Sequence, residues 1–551
     1  MKYKHLIDRA YGELSLIPRA GQIEAVHQVL QKFFDEGYKN VVLSADTGTG
    51  KSIIGAVVAM CFQQKFDLET AAFILMQNNN LVNQYADTFG NYEAKQFYQV
   101  KGAVNYPCAA ETALTGNKFA NAESCIEKKH SELVQEKFCN GCEFKKAKRL
   151  RNVTSILISN YSYYFVSRLY AGFLNDRKLT IFDEAHTLND VFCDNNAIHF
   201  NVDMANKIIT DIKENLDTSL EETVKTVEAF RDDMVSGKLT VDNYIERLTE
   251  LRKAYKTILG ELGVLLDESD DGTAVKYTKL YKKYIGYFTK INDLLVHNYD
   301  HVFEFNKEAL AISVKPIFIG KMSKILLGEY NLFMSATISD TYIKETLELD
   351  SVGFVKLPPV FAKENKKISF IGNEYLNFTK MNDPKVITDL AKKCSLIVDS
   401  HSEDGESGLI LVPSFKLAVE MATQMETQTK VFLHKSGVKL NDLIAEFKKC
   451  KEPAVLISPS IYEGLDFAGD HSRYQILLKA PYPSLGEKRI KYIAESYPDI
   501  YKLMTITKIV QGIGRSIRSP DDYAMTYSLD KAIKGLYDSP LNVWKDQFEV
   551  V

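Results

Sequence analysis

Eight cysteines in 551 residues are too few to staple a chain of this size, and no uncharged apolar run is long enough to span a bilayer. A disulfide scaffold and a helical membrane protein are therefore not expected. The N-terminal stretch MKYKHLIDRAYGELSLIPRAG lacks the continuous apolar centre of a signal peptide, which points to a soluble intracellular protein. Charge of one sign is not in excess either: 68 Lys and Arg against 72 Asp and Glu leave a net charge of −4. That balance gives no global attraction to nucleic acid, although a local groove of Lys and Arg can still bind phosphates. Low-complexity linkers and short-period repeats are missing as well. What remains is ordinary globular composition in a chain too long for one hydrophobic core, so several domains are expected.

Short apolar runs at 41–45, 71–76, 154–159 and 179–184 read as buried strands with helical patterns between several of them. The same pattern returns at 408–414, 430–436, 454–460 and 474–480. Two α/β units with parallel sheets follow. Between them, Leu220, Val224, Val227, Phe230 and Met234, then Ile245, Leu248, Leu251, Tyr255, Ile258 and Leu262, recur at helical spacing. Residues 190–310 therefore read as a helical insertion. Its acidic stretch 267–273 lacks the spaced ligands and closing glutamate of a calcium loop and reads as a solvated connection.

Val41–Met60, VVLSADTGTGKSIIGAVVAM, breaks a buried strand with glycines and a lysine and resumes at once as an apolar helix. Backbone N–H groups and a helix N-terminus then surround a space suited to phosphates. In this loop of Thr47, Gly48, Thr49 and Gly50, the glycines let the backbone close on a phosphate chain, Lys51 reaches its β- and γ-phosphates, and Ser52 ligates Mg²⁺. Ala45 stands where the P-loop pattern begins with glycine. In LTIFDEAH, Asp183 and Glu184 end an apolar strand, where α/β sheets bind ligands. Asp183 suits Mg²⁺, and Glu184 suits the attacking water. Far downstream, QGIGRSIRS carries Gln511, Arg515 and Arg518, whose arginines can neutralise a transferring phosphoryl group. ATP hydrolysis with Mg²⁺ is the expected chemistry.

Cys108, Cys125, Cys139 and Cys142 fall within thirty-five residues, separated by sixteen, thirteen and two. Four such thiolates suit zinc or a [4Fe–4S] cluster, and spacing alone does not choose. Cys61, in the helix after the P-loop, reads as core packing. Directly after Cys142 come Lys145, Lys146, Lys148, Arg149 and Arg151, a solvated face or a strip for nucleic-acid phosphates. Tyr161, Tyr163 and Tyr164 read as packing residues rather than base-stacking platforms.

After the P-loop and DEAH elements, FMSATIS (333–339), LILVPSFK (409–416), IYEGLDFAGD (461–470) and QGIGRSIR (511–518) follow in order. This set resembles superfamily 2 helicases. VKGAVNYPC (100–108), SILISNYSYYF (155–165), YEGLDF (462–467) and ILLKAPYPS (476–484) are similar to segments of their XPD/DinG-like iron–sulfur branch. The resemblance implies two RecA-like motor domains, the first assembled from 1–100, 153–189 and 311–350 and the second from 351–551. An iron–sulfur domain at 101–152 and a helical arch at 190–310 would be inserted in the first. It favours [4Fe–4S] over zinc on the four cysteines and assigns nucleotide contacts to Arg19, Gln22, Gly464 and Asp466. The segment 75–89 falls where the family touches the DNA backbone, but Asn78-Asn79-Asn80 departs from its threonine-rich form.

The implied activity is ATP-driven 5′ to 3′ translocation on single-stranded DNA with unwinding of forked or tailed duplexes, by a cytoplasmic or nucleoid-associated monomer that binds no membrane. An RNA-stimulated ATPase and a nucleotide-gated DNA clamp are the competing readings. With only fifty residues before Lys51, no N-terminal nuclease is expected.

Overall fold

The computed structural model describes residues 1–46, 48–89, 96–123, 137–216, 220–269, 271–462, 467, 469–517 and 522–551. Thr47, Cys125, Gly464, Asp466 and Arg518, all singled out above, lie outside the described residues.

Strands β1 (Asn40–Ser44), β2 (Ala72–Met76), β3 (Phe97–Gln99), β4 (Ile156–Asn160) and β5 (Leu179–Asp183) open the first sheet. β2, β4 and β5 are buried along their whole length, which is why they read as continuous apolar runs rather than alternating ones. The chain then leaves this sheet for β6 (Ile198–Asn201), β7 (His301–Asn306) and β8 (Ala311–Pro316), which pair antiparallel in the order β6-β8-β7. It returns as β9 (Tyr330–Ser335) and β10 (Gly353–Lys356), completing the parallel order β10-β1-β9-β5-β2-β4-β3. β10 lies beyond residue 350, where the sequence reading ends the first unit. Its pairing with β1 shows that the first sheet continues past that point.

The second parallel sheet contains β11 (Lys366–Phe370), β12 (Gly408–Leu411), β13 (Lys430–Leu433), β14 (Ala454–Ser458), β15 (Tyr474–Leu477), β16 (Ala524–Ser528) and β17 (Glu549–Val550), in the order β13-β14-β12-β15-β16-β11-β17. Every apolar run predicted as a strand is one. The two-sheet α/β fold class expected from the sequence is therefore the one observed.

Between β6 and β7 lie the helices Val202–Asn215, Glu221–Val235, Tyr244–Glu268 and Asp271–His297. The helically spaced Val227, Phe230, Met234, Leu248, Leu251, Tyr255, Ile258 and Leu262 are buried among them. Ile245 is not: at 38% exposure it lies off the buried stripe. The acidic stretch is shorter as a connection than its composition suggested, because the flanking helices extend to Glu268 and resume at Asp271. β6 to β8 were not anticipated. Buried Ile198, Phe200, Ile312 and Val314 alternate with more exposed residues, the period-two signature of a half-buried sheet.

Several contacts among the described residues join the two α/β units. Lys366 on β11 pairs with Asp46 beside the P-loop at 3.1 Å, with both side chains buried, and buried Trp544 donates from Nε1 to Ser44 Oγ at 3.3 Å. On the other side, Ile490, Ile493, Ile500 and Leu503 from the helices Lys488–Ser496 and Pro498–Ile513 enter the apolar core that contains Phe318 and Tyr342. Arg489 is buried there, donating from Nε to the Ile317 carbonyl at 3.0 Å and pairing with Asp190 at 3.0 Å. Among the described residues no helix is long and apolar enough to cross a membrane.

Candidate nucleotide site between the two sheets

β1 delivers the chain to Asp46, and the helix Lys51–Phe66 begins five residues later. Gly50 has φ of +76°, and a Cβ there would lie 2.4 Å from Gln22 Nε2, so both conformation and contact require glycine. Gln22 is buried and braces the turn: its Nε2 donates to the Thr49 carbonyl at 2.8 Å, while its Oε1 accepts from the Arg19 N–H at 2.9 Å. Arg19 also donates to the Gly48 carbonyl at 3.4 Å. The Thr49 hydroxyl donates to the Asp46 carbonyl at 2.7 Å, and buried Lys51 donates to the Ala45 carbonyl at 3.2 Å. The predicted loop residues within the described chain thus form one closed, internally bonded turn at a helix N-terminus, a geometry that favours phosphate.

Asp183 ends β5 between two tyrosines. Tyr85 donates to its Oδ2 at 2.8 Å, and Tyr161 to its main-chain carbonyl at 2.6 Å; the Glu184 N–H bonds its Oδ1 at 3.0 Å. Burial, reinforced by the Glu184 charge, raises the Asp183 pKa above the carboxylate range despite the opposing pull of Lys51. Glu184, at φ +55°, shifts the other way: burial pushes it up, but Lys51, His186, the Ser335 hydrogen bond and Arg515 together draw it down. One carboxyl thus holds its proton more readily, and its neighbour stays ionised.

A relay connects Glu184 to the second unit. Gln511 Nε2 lies 2.8 Å from His186 Nε2, His186 Nδ1 lies 2.8 Å from Ser335 Oγ, and Ser335 donates to Glu184 Oε2 at 3.3 Å. Because the Gln511 amide can only donate here, His186 accepts at Nε2 and carries its proton on Nδ1. Gln511 also donates to Thr337 Oγ1 at 2.9 Å, which leaves its own carbonyl oxygen buried with no hydrogen-bond partner among the described residues. Arg515 donates from Nε to the Tyr462 carbonyl at 3.0 Å. Asp46, Glu184, His186, Lys366, Gln511 and Arg515 line one cavity of about 730 Å³ between the sheets. Of the residues that the sequence singled out, the structure brings Glu184, Gln511 and Arg515 into this cavity. Sequence reasoning assigned no role to His186, Ser335, Thr337, Lys366 or Tyr85, whose parts depend on contacts between distant segments.

Away from this cavity, Cys108 and Cys139 are buried in a small apolar cluster with Cys142 against it. Cys108 precedes the helix Ala109–Thr115, and Cys142 the helix Glu143–Leu150. Three of the four predicted thiols thus pack in one small apolar cluster. No group of three or more His, Cys, Asp or Glu among the described residues is arranged to hold a metal ion. The basic run follows on Glu143–Leu150, where Lys145, Lys146, Lys148 and Arg149 are exposed, while Arg151 is half-buried over the Phe173 ring. Tyr161 and Tyr164 are buried, Tyr163 is half-buried, and Cys61 is buried in the first unit's core.

Residues 15–219 match the family model described as type III restriction enzyme, res subunit, and 397–544 match the helicase C-terminal domain. The chain is 19% identical to the ATP-dependent DNA helicase YoaA of Haemophilus influenzae over 97% of this chain and 95% of that protein. It is 18% identical to the Escherichia coli YoaA over 71% and 66%, and 25% identical to the ATP-dependent DNA helicase CHL1 of Debaryomyces hansenii over 31% and 26%. The chain spans about a quarter of the length of the CHL1 relatives it matches. Its fold is similar to a solved XPD helicase, with TM-score 0.60 and 15% identity over 97% of this chain and 99% of that one. It is also similar to S. tokodaii Xpd4, with TM-score 0.57 and 14% identity over 97% and 100%. The chain is thus similar to DNA helicases in sequence and to XPD in fold.

Proposed function

We propose that the chain is an ATP-dependent DNA helicase that translocates 5′ to 3′ on single-stranded DNA and opens tailed or forked duplexes. The observation that carries this reading is the relay from Gln511 on the second unit to Glu184 on the first, beside a cavity that also receives Arg515. ATP seated on the P-loop would place its phosphates between the two units, so hydrolysis would change how they sit together. Lys51 would leave the Ala45 carbonyl for the phosphates, and Glu184, kept ionised, would take the proton of the attacking water. The unpartnered Gln511 carbonyl oxygen provides a buried acceptor to orient that water. Arg515 would meet the charge on the transferring group, as would Arg518 from its predicted place. Ser52 and Asp183 fit Mg²⁺, which when bound supplies charge neutralisation at the phosphates. Arg19 and Gln22, with Gly464 and Asp466 of the second unit, are proposed to complete the nucleotide contacts.

Cys108, Cys125, Cys139 and Cys142 are proposed to hold a [4Fe–4S] cluster; the packing of three of them in one small apolar cluster supports this. The exposed lysines after Cys142 would then flank the point where strands part. A strand-displacement assay comparing 5′-tailed and 3′-tailed DNA duplexes with an RNA duplex tests the reading. ATP-dependent opening of the 5′-tailed DNA is expected. Preference for the RNA duplex, or DNA binding without opening, would replace it.

A further inference from the structure

The helix Asn79–Phe89 is bonded at both its exposed and buried sides. At its start, the Asn78 side chain accepts from the Asn80 and Leu81 N–H groups at 3.0 and 3.1 Å, and Asn79 is held by Asn105 at 3.1 Å and Asn160 at 2.5 Å. Val82, Tyr85 and Phe89 are buried, at spacings of three and four that put them on one face. Gln77, Asn78, Asn80 and Gln84 face the 730 Å³ cavity. One short helix therefore forms the cavity wall and sends one polar group through the core behind it.

That group is the Tyr85 hydroxyl. Tyr85 is 4% exposed, its ring lies 5.7 Å from that of Phe89, and its oxygen donates to Asp183 Oδ2 at 2.8 Å. The phenol thus touches the carboxylate that fits Mg²⁺. Ring packing alone would be served equally by phenylalanine. A hydroxyl in this apolar setting costs stability unless it is bonded, and its partner is the carboxylate that most needs a fixed orientation.

We propose that Tyr85 is a positioning residue for the metal site, holding the Asp183 carboxylate in a fixed orientation and tying it to the cavity wall. The inference rests on the nucleotide-site reading above. Hydrogen bonds from an outer shell commonly change metal affinity by 10- to 100-fold, because they orient the ligand before the ion arrives.

The test is Mn²⁺ titration of the ADP complex by electron paramagnetic resonance in wild type, Tyr85→Phe and Tyr85→Leu, with thermal melting of each. Expected are an unchanged melting profile for Tyr85→Phe, Mn²⁺ affinity about 10- to 100-fold weaker in both variants, and metal-free ADP affinity as in wild type. Wild-type Mn²⁺ affinity in Tyr85→Phe, with loss only in Tyr85→Leu, would reduce Tyr85 to ring packing and overturn the proposal. A wild type that binds Mn²⁺–ADP but opens no duplex would sink the helicase reading while leaving this comparison decisive. A wild type that binds no Mn²⁺–ADP would overturn both.

Discussion

Gln511 and His186 stand 325 residues apart and on different α/β units, yet their side-chain nitrogens meet at 2.8 Å. Through Ser335 this single bond makes the second unit a neighbour of the proposed base, Glu184. Gln511→Ala should therefore slow hydrolysis more than it weakens ATP binding. The substitution removes the bonds to both His186 and Thr337; loss of the His186 bond alone, at about 1–1.5 kcal/mol, predicts at least a roughly tenfold fall in kcat. Steady-state ATPase with a separate nucleotide titration checks the split; weaker binding with kcat unchanged would mean that the contact acts in binding alone.

Removing charge at the phosphates should separate binding from chemistry. Lys51→Ala should abolish hydrolysis, and Glu184→Gln should bind ATP yet turn over some 10²- to 10⁴-fold more slowly, the range expected for a lost general base. Arg515→Ala should leave affinity nearly intact and lower turnover, because its contact strengthens as charge develops. Single-turnover measurements read these directly, and near-normal rates in any of the three would remove that residue from the mechanism.

The raised pKa of Asp183 carries a stability cost of known sign. Its folded form holds a proton that the unfolded chain has already released, so the associated stability is present at acid pH and is lost as pH climbs past the ordinary carboxylate range. In metal-free protein, Asp183→Asn should therefore raise the Tm at pH 8 and raise it less at pH 5. Melting curves at the two values, in the presence of a chelator, check this; a gain that grows on acidification would contradict the assignment.

Cys139→Ser or Cys142→Ser should strip iron from the protein and abolish duplex opening while sparing DNA-stimulated ATPase in part, since Lys51, Asp183 and Glu184 lie elsewhere in the fold. Anaerobically purified wild type should be yellow-brown, with iron and sulfide in nearly equal amounts. Bound zinc without iron would overturn the cluster assignment, and full opening by a folded variant would overturn the role of the cysteine region in strand separation.

Strands buried on both faces were legible because parallel sheets demand unbroken apolar runs, and the P-loop was legible because its turn needs particular residues at fixed spacing. β6 to β8 carried a weaker alternating signal inside a region dominated by helical periodicity. Tyr85 was hidden for a different reason: its position is that of an ordinary core aromatic, and only the fold reveals that the hydroxyl ends on Asp183. Lys366 and Asp46 likewise become a pair only when β11 is laid beside the P-loop.

The apolar core that takes in Ile490, Ile493, Ile500 and Leu503 has a consequence for dissection of the molecule. A half-chain cut between β10 and β11 would strip the cover from Phe318 and Tyr342 on one fragment and leave an oily helix pair on the other. Neither piece would be expected to stay in solution alone, because contiguous apolar patches of this kind drive association. The units are therefore not interchangeable modules on a tether, and intact protein should melt as one cooperative body.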